Sequence, residues 1–197
     1  MDKIIHPVKD LFENATDYHL KPEHELRIHE IETFIRLRVT DGIAEVFGRE
    51  LPLEETAYFF KGDNFAIFTW RGCKITIEGE YKRDYKCYEA PASLMRERIN
   101  LNHILEQMRN VALSHKICGP RVFVTGNRES GKSSFCKTLV NYALKLGWSP
   151  ILVDLNLTKN LISAPGCISA ALIEEPLEGH TDDLTANSIN YFHGACG

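Results

Sequence analysis

The run Gly126-Asn127-Arg128-Glu129-Ser130-Gly131-Lys132-Ser133, continued by Ser134, follows an apolar stretch, Val122-Phe123-Val124, and opens an amphipathic one. That order of glycines, lysine and hydroxyl predicts a P-loop between a strand and a helix. The glycines let the backbone turn its amides inward around a phosphate, and the helix starting near Gly131 adds the positive end of its dipole. Lys132 then reaches the β and γ phosphates, and the Ser133 hydroxyl is the expected protein ligand to Mg²⁺. The chemistry to expect is binding of ATP with Mg²⁺.

The elements that position this loop form a strand-helix-strand pattern. From Arg121 the sequence reads as strand, P-loop, helix to about Leu146, a stop at Gly147 and a second strand Ile151-Leu152-Val153-Asp154-Leu155. This predicts a β-α-β unit and a parallel sheet. A Pro165-Gly166 turn and an apolar run from Ile168 to Ile173 follow. Too few strands stand after Pro120 to close such a sheet, so the expectation is an incomplete α/β P-loop NTPase domain, truncated within this chain.

Upstream, Leu26 to Ile31 and Phe34 to Val39 alternate apolar and polar residues, as do later runs through Ile77. Alternation predicts half-buried strands, and Asp41-Gly42 reads as a hairpin turn. The N-terminal part is therefore expected to be an all-β sandwich or barrel. Leu101, Ile104, Leu105, Met108, Val111 and Ala112 then recur at helical spacing, with Asn100 as N-cap and Gly119-Pro120 as the stop. The expected organisation is a β domain over 1–95, a connecting helix over 96–118 and a P-loop domain over 119–197.

With 44% hydrophobic and 25% charged residues the composition is that of an ordinary globular protein, and a net charge of −4 supplies no field that would gather nucleic acid. Any RNA contact needs a local patch; Tyr81, Lys82, Arg83, Tyr85, Tyr88, Arg96 and Arg98 could supply one. Six cysteines form no C-x-x-C pair, which argues against zinc and dithiol chemistry and for reduced thiols. No secretory signal or membrane span is expected.

Taken together, His24-Glu25-Leu26-Arg27, Gly42 to Leu51, Ala66 to Cys73, Asn100 to Arg109, Gly119-Pro120-Arg121-Val122 and Pro165-Gly166-Cys167-Ile168 carry a resemblance. The chain resembles the N-terminal portion of the RNA 5′-hydroxyl polynucleotide kinase family that includes the ATP-binding subunit of the pre-mRNA cleavage and polyadenylation machinery. The resemblance implies a nuclear protein that works with other subunits of that complex and with RNA. It also implies an adenine contact at Glu25 and a second one at Asn64, where relatives usually carry lysine. Active members carry D-x-G-Q after the second strand; the matching residues here are Asn156-Leu157-Thr158-Lys159. An amide cannot take a proton as a carboxylate does, so Asn156 at the catalytic position implies weak or no transfer unless Asp154 acts in its place. The alternatives are thus an ATP-binding scaffold subunit and a polynucleotide 5′-hydroxyl kinase acting on RNA ends in tRNA splicing or repair. A P-loop GTPase lacks an N-K-x-D guanine motif and leaves the β domain unexplained.

Overall fold

The computed structural model describes residues 15–79, 84–91, 94–178 and 184–194. Its first half is a sandwich of antiparallel strands. They run β1 (Thr16–Leu20), β2 (His24–His29), β3 (Phe34–Gly42), β4 (Glu45–Val46), β5 (Arg49–Glu50), β6 (Thr56–Phe60), β7 (Phe65–Phe68), β8 (Cys73–Gly79) and β9 (Lys86–Pro91). One sheet has the order β1-β8-β3-β6 and the other β5-β4-β7-β2-β9. Alternation does what the sequence predicts. Ile35, Leu37 and Val39 of β3 point inward and are buried, while Arg36 and Arg38 between them are only partly covered. Leu26 and Ile28 of β2, Ile67 of β7 and Ile75 and Ile77 of β8 meet them from the facing strands and complete an apolar core. The fold is a sandwich and not a closed barrel, with edge strands β1 and β6 in one sheet and β5 and β9 in the other.

Asp41-Gly42 is not a hairpin turn. The β3–β8 ladder continues through Gly42, opposite Cys73, and the chain then crosses to the other sheet as β4. Gly42 has φ +80, and a Cβ there would collide with the Gly72 carbonyl, so its glycine serves close approach of two strands. The two-residue hairpin lies instead at Phe47-Gly48, between the paired strands β4 and β5, with φ +50 and +78. Two positive φ values are the signature of a type I′ turn, which suits twisted strands.

Helix α1 (Met95–His115) follows, capped by Leu94 and not begun at Asn100, which sits inside it. It ends before Gly119-Pro120: Lys116 takes the left-handed conformation, and the Ile117 N–H returns to the Ala112 carbonyl at 3.0 Å. This closes the last turn without glycine. Helix α2 (Lys132–Lys145) starts at the P-loop lysine, and β10 (Ile151–Asp154), β11 (Cys167–Leu172) and β12 (Ser188–Phe192) complete the second half.

The sheet of this half departs from expectation. The strands β10-β11-β12 pair antiparallel, with Ile151 opposite Leu172 and Cys167 opposite Phe192. A parallel neighbour requires a crossover, usually a helix. Here the link from β10 to β11 is taken up by side-chain turns at Asn156 and Asn160 that fold the chain back on itself. Val122-Phe123-Val124 joins no ladder among the described residues, and Phe123 is 78% exposed. Its hydrophobicity reads as a strand, but a strand exists only through its neighbours. The apolar contacts of this half come from Val140 of α2, Leu152, Ala171, Ile173 and Leu177.

Candidate nucleotide site

The P-loop folds as its residue types require. Gly131, at φ +84, caps α2 and leaves space on its Cβ side, while Gly126 lies at φ +156 with the Ser130 hydroxyl beside it. Glu129 also has positive φ, +61. These conformations turn the chain sharply over Asn127 to Ser130 and keep the loop and Ser133 exposed. The Lys132 ammonium folds back and donates to the Asn127 carbonyl at 2.5 Å, inside the loop's own curve. A phosphate held by the loop would meet that ammonium where the carbonyl now does.

Ser133 and Ser134 lie on the first turn of α2 and line a cleft of about 210 Å³ between the helix and the sandwich. The sandwich wall contributes Phe47, Asn64 and Phe65, and the loop after β10 contributes Asn156 and Lys159. The fold therefore gathers Ser133, Ser134, Asn64 and Asn156, four residues singled out in the sequence. Glu25 is not among the lining residues. It is buried on β2, and its carboxylate accepts from Arg27 Nε at 2.6 Å, with Arg27 also donating to the Tyr88 hydroxyl at 3.3 Å.

The loop after β10 is satisfied from within. Asp154 accepts from the Asn156 N–H at 2.8 Å and the Leu161 N–H at 2.7 Å, one on each oxygen. Asn156 Oδ1 accepts from the Thr158 N–H, the Thr158 hydroxyl and the Lys159 N–H at 3.1, 2.9 and 3.2 Å. Both side chains cap a turn, as Asn and Asp commonly do. Asp154 is engaged in holding the loop and does not line the cleft, so its geometry is that of a brace.

The two halves meet at residues that composition and motif alone did not single out. Asn141 of α2 is buried; its Nδ2 donates to the carbonyls of Phe47 and Leu177 at 2.9 Å each, and its Oδ1 accepts from the Leu177 N–H at 2.8 Å. The Tyr142 hydroxyl donates to Glu45 at 2.6 Å, and Lys145 pairs with Glu45 and Glu50. Burial pushes the Glu45 carboxyl above its usual value despite the opposing pull of Tyr142 and Lys145, and burial beside Glu45 pushes the Tyr142 phenol up as well. Lys137 stands over the Phe47 ring. The signal that could have found these residues is helical: Lys137, Asn141 and Lys145 recur every four positions after Ser133.

Among the described residues, members of the suggested basic and aromatic patch are engaged separately. Arg96 is held by Glu23, Tyr85 is half-buried against Tyr18, and Arg98 packs by Met95 and Phe135. Tyr81, Lys82 and Arg83 lie outside the described residues. The donor set for Mg²⁺ is one exposed hydroxyl, Ser133, beside the phosphate loop; this fits an ion that takes most of its ligands from phosphate and water. Among the described residues no three His, Cys, Asp or Glu side chains group to hold a metal, the five described cysteines are free thiols, and no helix is long and apolar enough to cross a membrane.

Two domain families match the chain. The N-terminal beta-sandwich domain of polyadenylation factor matches residues 19–112, and the P-loop of mRNA cleavage and polyadenylation factor CLP1 matches residues 126–196. The Protein CLP1 homolog of Arabidopsis thaliana is 40% identical over 190 residues, covering 92% of this chain and 41% of its own. The Polyribonucleotide 5′-hydroxyl-kinase Clp1 of Homo sapiens is 37% identical over 165 residues, covering 83% of this chain and 38% of its own. The chain thus spans about two fifths of the length of the curated relatives it matches. Among solved structures, the wild-type Clp1p–Pcf11p complex superposes with a TM-score of 0.71 at 25% identity, over 82% of this chain and 37% of that one. A second Clp1p–Pcf11p structure, described for an extended interface and for ATP loss in a point mutant, gives 0.70 at 24% over the same shares.

Proposed function

The chain belongs to the Clp1 family of mRNA cleavage and polyadenylation factors, and from that premise we propose that it is an ATP-binding subunit of the pre-mRNA 3′-end cleavage machinery, with weak or no phosphoryl transfer of its own. One observation carries the reading: a P-loop with its lysine, hydroxyl and glycine conformations in place stands beside a loop whose catalytic position is Asn156, used as a cap. The protein would work in the nucleus. Its partner would be a Pcf11-like subunit, a reading supported by the Clp1p–Pcf11p complex it resembles.

In this reading Lys132 and the loop amides hold the β and γ phosphates, and Ser133 places its hydroxyl on Mg²⁺. The ion's chemistry when bound is neutralisation of phosphate charge. Asn64 lines the cleft from the sandwich, and Glu25, whose Oε1 holds Arg27, would meet adenine with its other oxygen. Bound nucleotide stabilises the fold because it prefers the native state. The test is joint: the chain should gain melting temperature with ATP and Mg²⁺ and co-purify with a Pcf11-like partner segment, and a chain that does neither would remove the reading.

A second reading, a polynucleotide 5′-hydroxyl kinase acting on RNA ends, is supported by the kinase name of the relative from Homo sapiens. Transfer of labelled γ-phosphate to 5′-hydroxyl RNA distinguishes the two.

A further inference from the structure

The sandwich is open along the side where β5 and β6 are its edge strands. Strand β5 stops at Glu50, and the chain crosses by way of Pro52 to the other sheet, where the Glu54 N–H meets the Val39 carbonyl at 2.9 Å. The inner face of β6 carries Phe59 and, as the cross-strand partner of Leu37, only Ala57. A residue that small leaves a groove of about 280 Å³ between β5 and β6. Its floor is the apolar core itself, Leu37, Val46 and Phe59.

The backbone beside this groove is also unpaired. The Phe60 N–H donates to Asp63 Oδ2 at 2.8 Å and the Asp63 N–H to the Phe60 carbonyl at 3.0 Å, so both Phe60 groups face away from β3. Alternation along an antiparallel pair then turns the N–H and C=O of Tyr58 and Thr56 outward as well, where no strand of the described residues meets them. Asp63 closes this edge at one end. What stays open is the backbone that an added strand would bond.

Charge decides what fits there. Arg49 is held by Glu178 at 2.6 Å, and Lys145 holds Glu50 at 3.0 Å. Glu55 lines the groove, is exposed, and has no ion-pair partner among the described residues. The charged residues lining the groove are thus Arg49 against Glu55, Asp63 and Glu178. This balance repels a polyanion, and a second copy pairing edge to edge would set like charges against each other. An extended segment that carries lysine or arginine is attracted.

We propose that the mouth between β5 and β6 docks an extended, basic segment of a partner protein, which bonds its backbone to Thr56 and Tyr58, seats an apolar side chain over Leu37, Val46 and Phe59, and places a lysine or arginine beside Glu55. The groove contains neither Lys132 nor Ser133, and the inference does not rest on the nucleotide reading.

The test is fluorescence anisotropy of the full chain with labelled peptides of about ten residues that alternate lysine with valine, leucine, isoleucine or phenylalanine. At least one should bind with a Kd of about 100 µM or tighter and slow amide exchange at Thr56 and Tyr58. Replacing its lysines by glutamate should weaken it by about tenfold or more. N-methylation of alternate backbone nitrogens keeps charge and apolar surface and should cost as much, since it removes the added strand's donors. Glu55→Lys should weaken binding by about fivefold or more, and Ala57→Leu, which fills the groove, by about tenfold. Tyr58→Pro removes an outward N–H that an edge strand can spare and should cost about tenfold; Glu55→Lys, a surface change, serves if the proline variant fails to fold. A panel in which nothing binds, or binding that survives both Glu55→Lys and Ala57→Leu, would overturn the proposal and leave Glu55 as a guard against edge pairing. Self-association that Tyr58→Pro dissolves in sedimentation would overturn it by seating a second copy on this edge, and so would an oligoribonucleotide that displaces the peptide.

Discussion

Asn141, on the helix that follows the phosphate loop, donates to the Phe47 carbonyl at 2.9 Å across a sequence separation of 94 residues. With its two bonds to Leu177 it satisfies three backbone groups at once, a part-buried one in the sandwich and two buried ones beyond β11. Asn141→Leu keeps the volume and orphans all three. Each such group costs about 1–3 kcal/mol, partly relieved by relaxation, so a loss of about 3 kcal/mol is expected in denaturant unfolding. Trp70 and Trp148 report on the two helices by fluorescence, since Trp70 packs against the cluster of Phe68, Met95 and Tyr142 and Trp148 donates to Glu106. A loss below about 0.5 kcal/mol would mean that the halves are held without this bond.

A second expectation concerns Lys132. Its ammonium rests on the Asn127 carbonyl, and a bound phosphate would replace that neutral acceptor by a charged one. Lys132→Ala should abolish most ATP binding in calorimetry, by about tenfold or more for one charge-assisted contact, and leave the melting temperature of the ligand-free chain almost unchanged. Equal ATP affinity in the two proteins would remove the P-loop assignment.

Much of this arrangement was legible beforehand, and the exceptions have physical causes. The alternating runs of β2, β3 and β8 declare their buried faces because one side of each strand must be apolar. The P-loop declares itself because phosphate geometry fixes its residue types. What stayed hidden depends on partners remote in sequence. Phe47-Gly48 makes the tight turn that Asp41-Gly42 advertises, because Gly42 is needed for close approach to Gly72 and Cys73. Val122 and Phe123 look like a strand and lack a neighbour among the described residues. Asp154 reads in the sequence as a carboxylate that could act in place of Asn156, and the loop-holding duty of its two oxygens emerges only from the backbone path of 156–161.

Glu45 gives a pH test of the docking between the halves. Burial raises its carboxyl in the folded state, so the native chain holds this proton to higher pH than the unfolded chain does. Stability from this group is therefore greatest below the ordinary carboxylate value of 4.5, and it falls as pH rises from there through the raised native value. Glu45→Gln keeps an acceptor for the Tyr142 hydroxyl and removes the titration. The difference in unfolding free energy between Glu45→Gln and the unaltered chain should grow in favour of glutamine from pH 4.5 upward and then level off. A difference that is flat, or of opposite sign, would show that Lys145 outweighs desolvation at this site.

The last expectation is chemical. With labelled ATP and 5′-hydroxyl RNA the chain should transfer no phosphate above background, because Asn156 has no carboxylate to take the hydroxyl proton and its Oδ1 already accepts three donors. Those donors make a sharper forecast. Asn156→Asp alone would keep the same turn, with the new carboxylate capped by the Thr158 hydroxyl and two amides and its basicity lowered by them. Removing the hydroxyl by Thr158→Gly, and the adjacent charge by Lys159→Gln, frees the carboxylate for the cleft that Asn156 lines. In a chimera supplying the rest of the relatives' length, the triple variant should therefore exceed the single one. A positioned general base contributes about 10² to 10⁴ in rate, which a phosphate-transfer assay resolves easily. Transfer by the unaltered chain at the rate of the triple variant would show that Asn156 does not limit the chemistry and would favour the kinase reading.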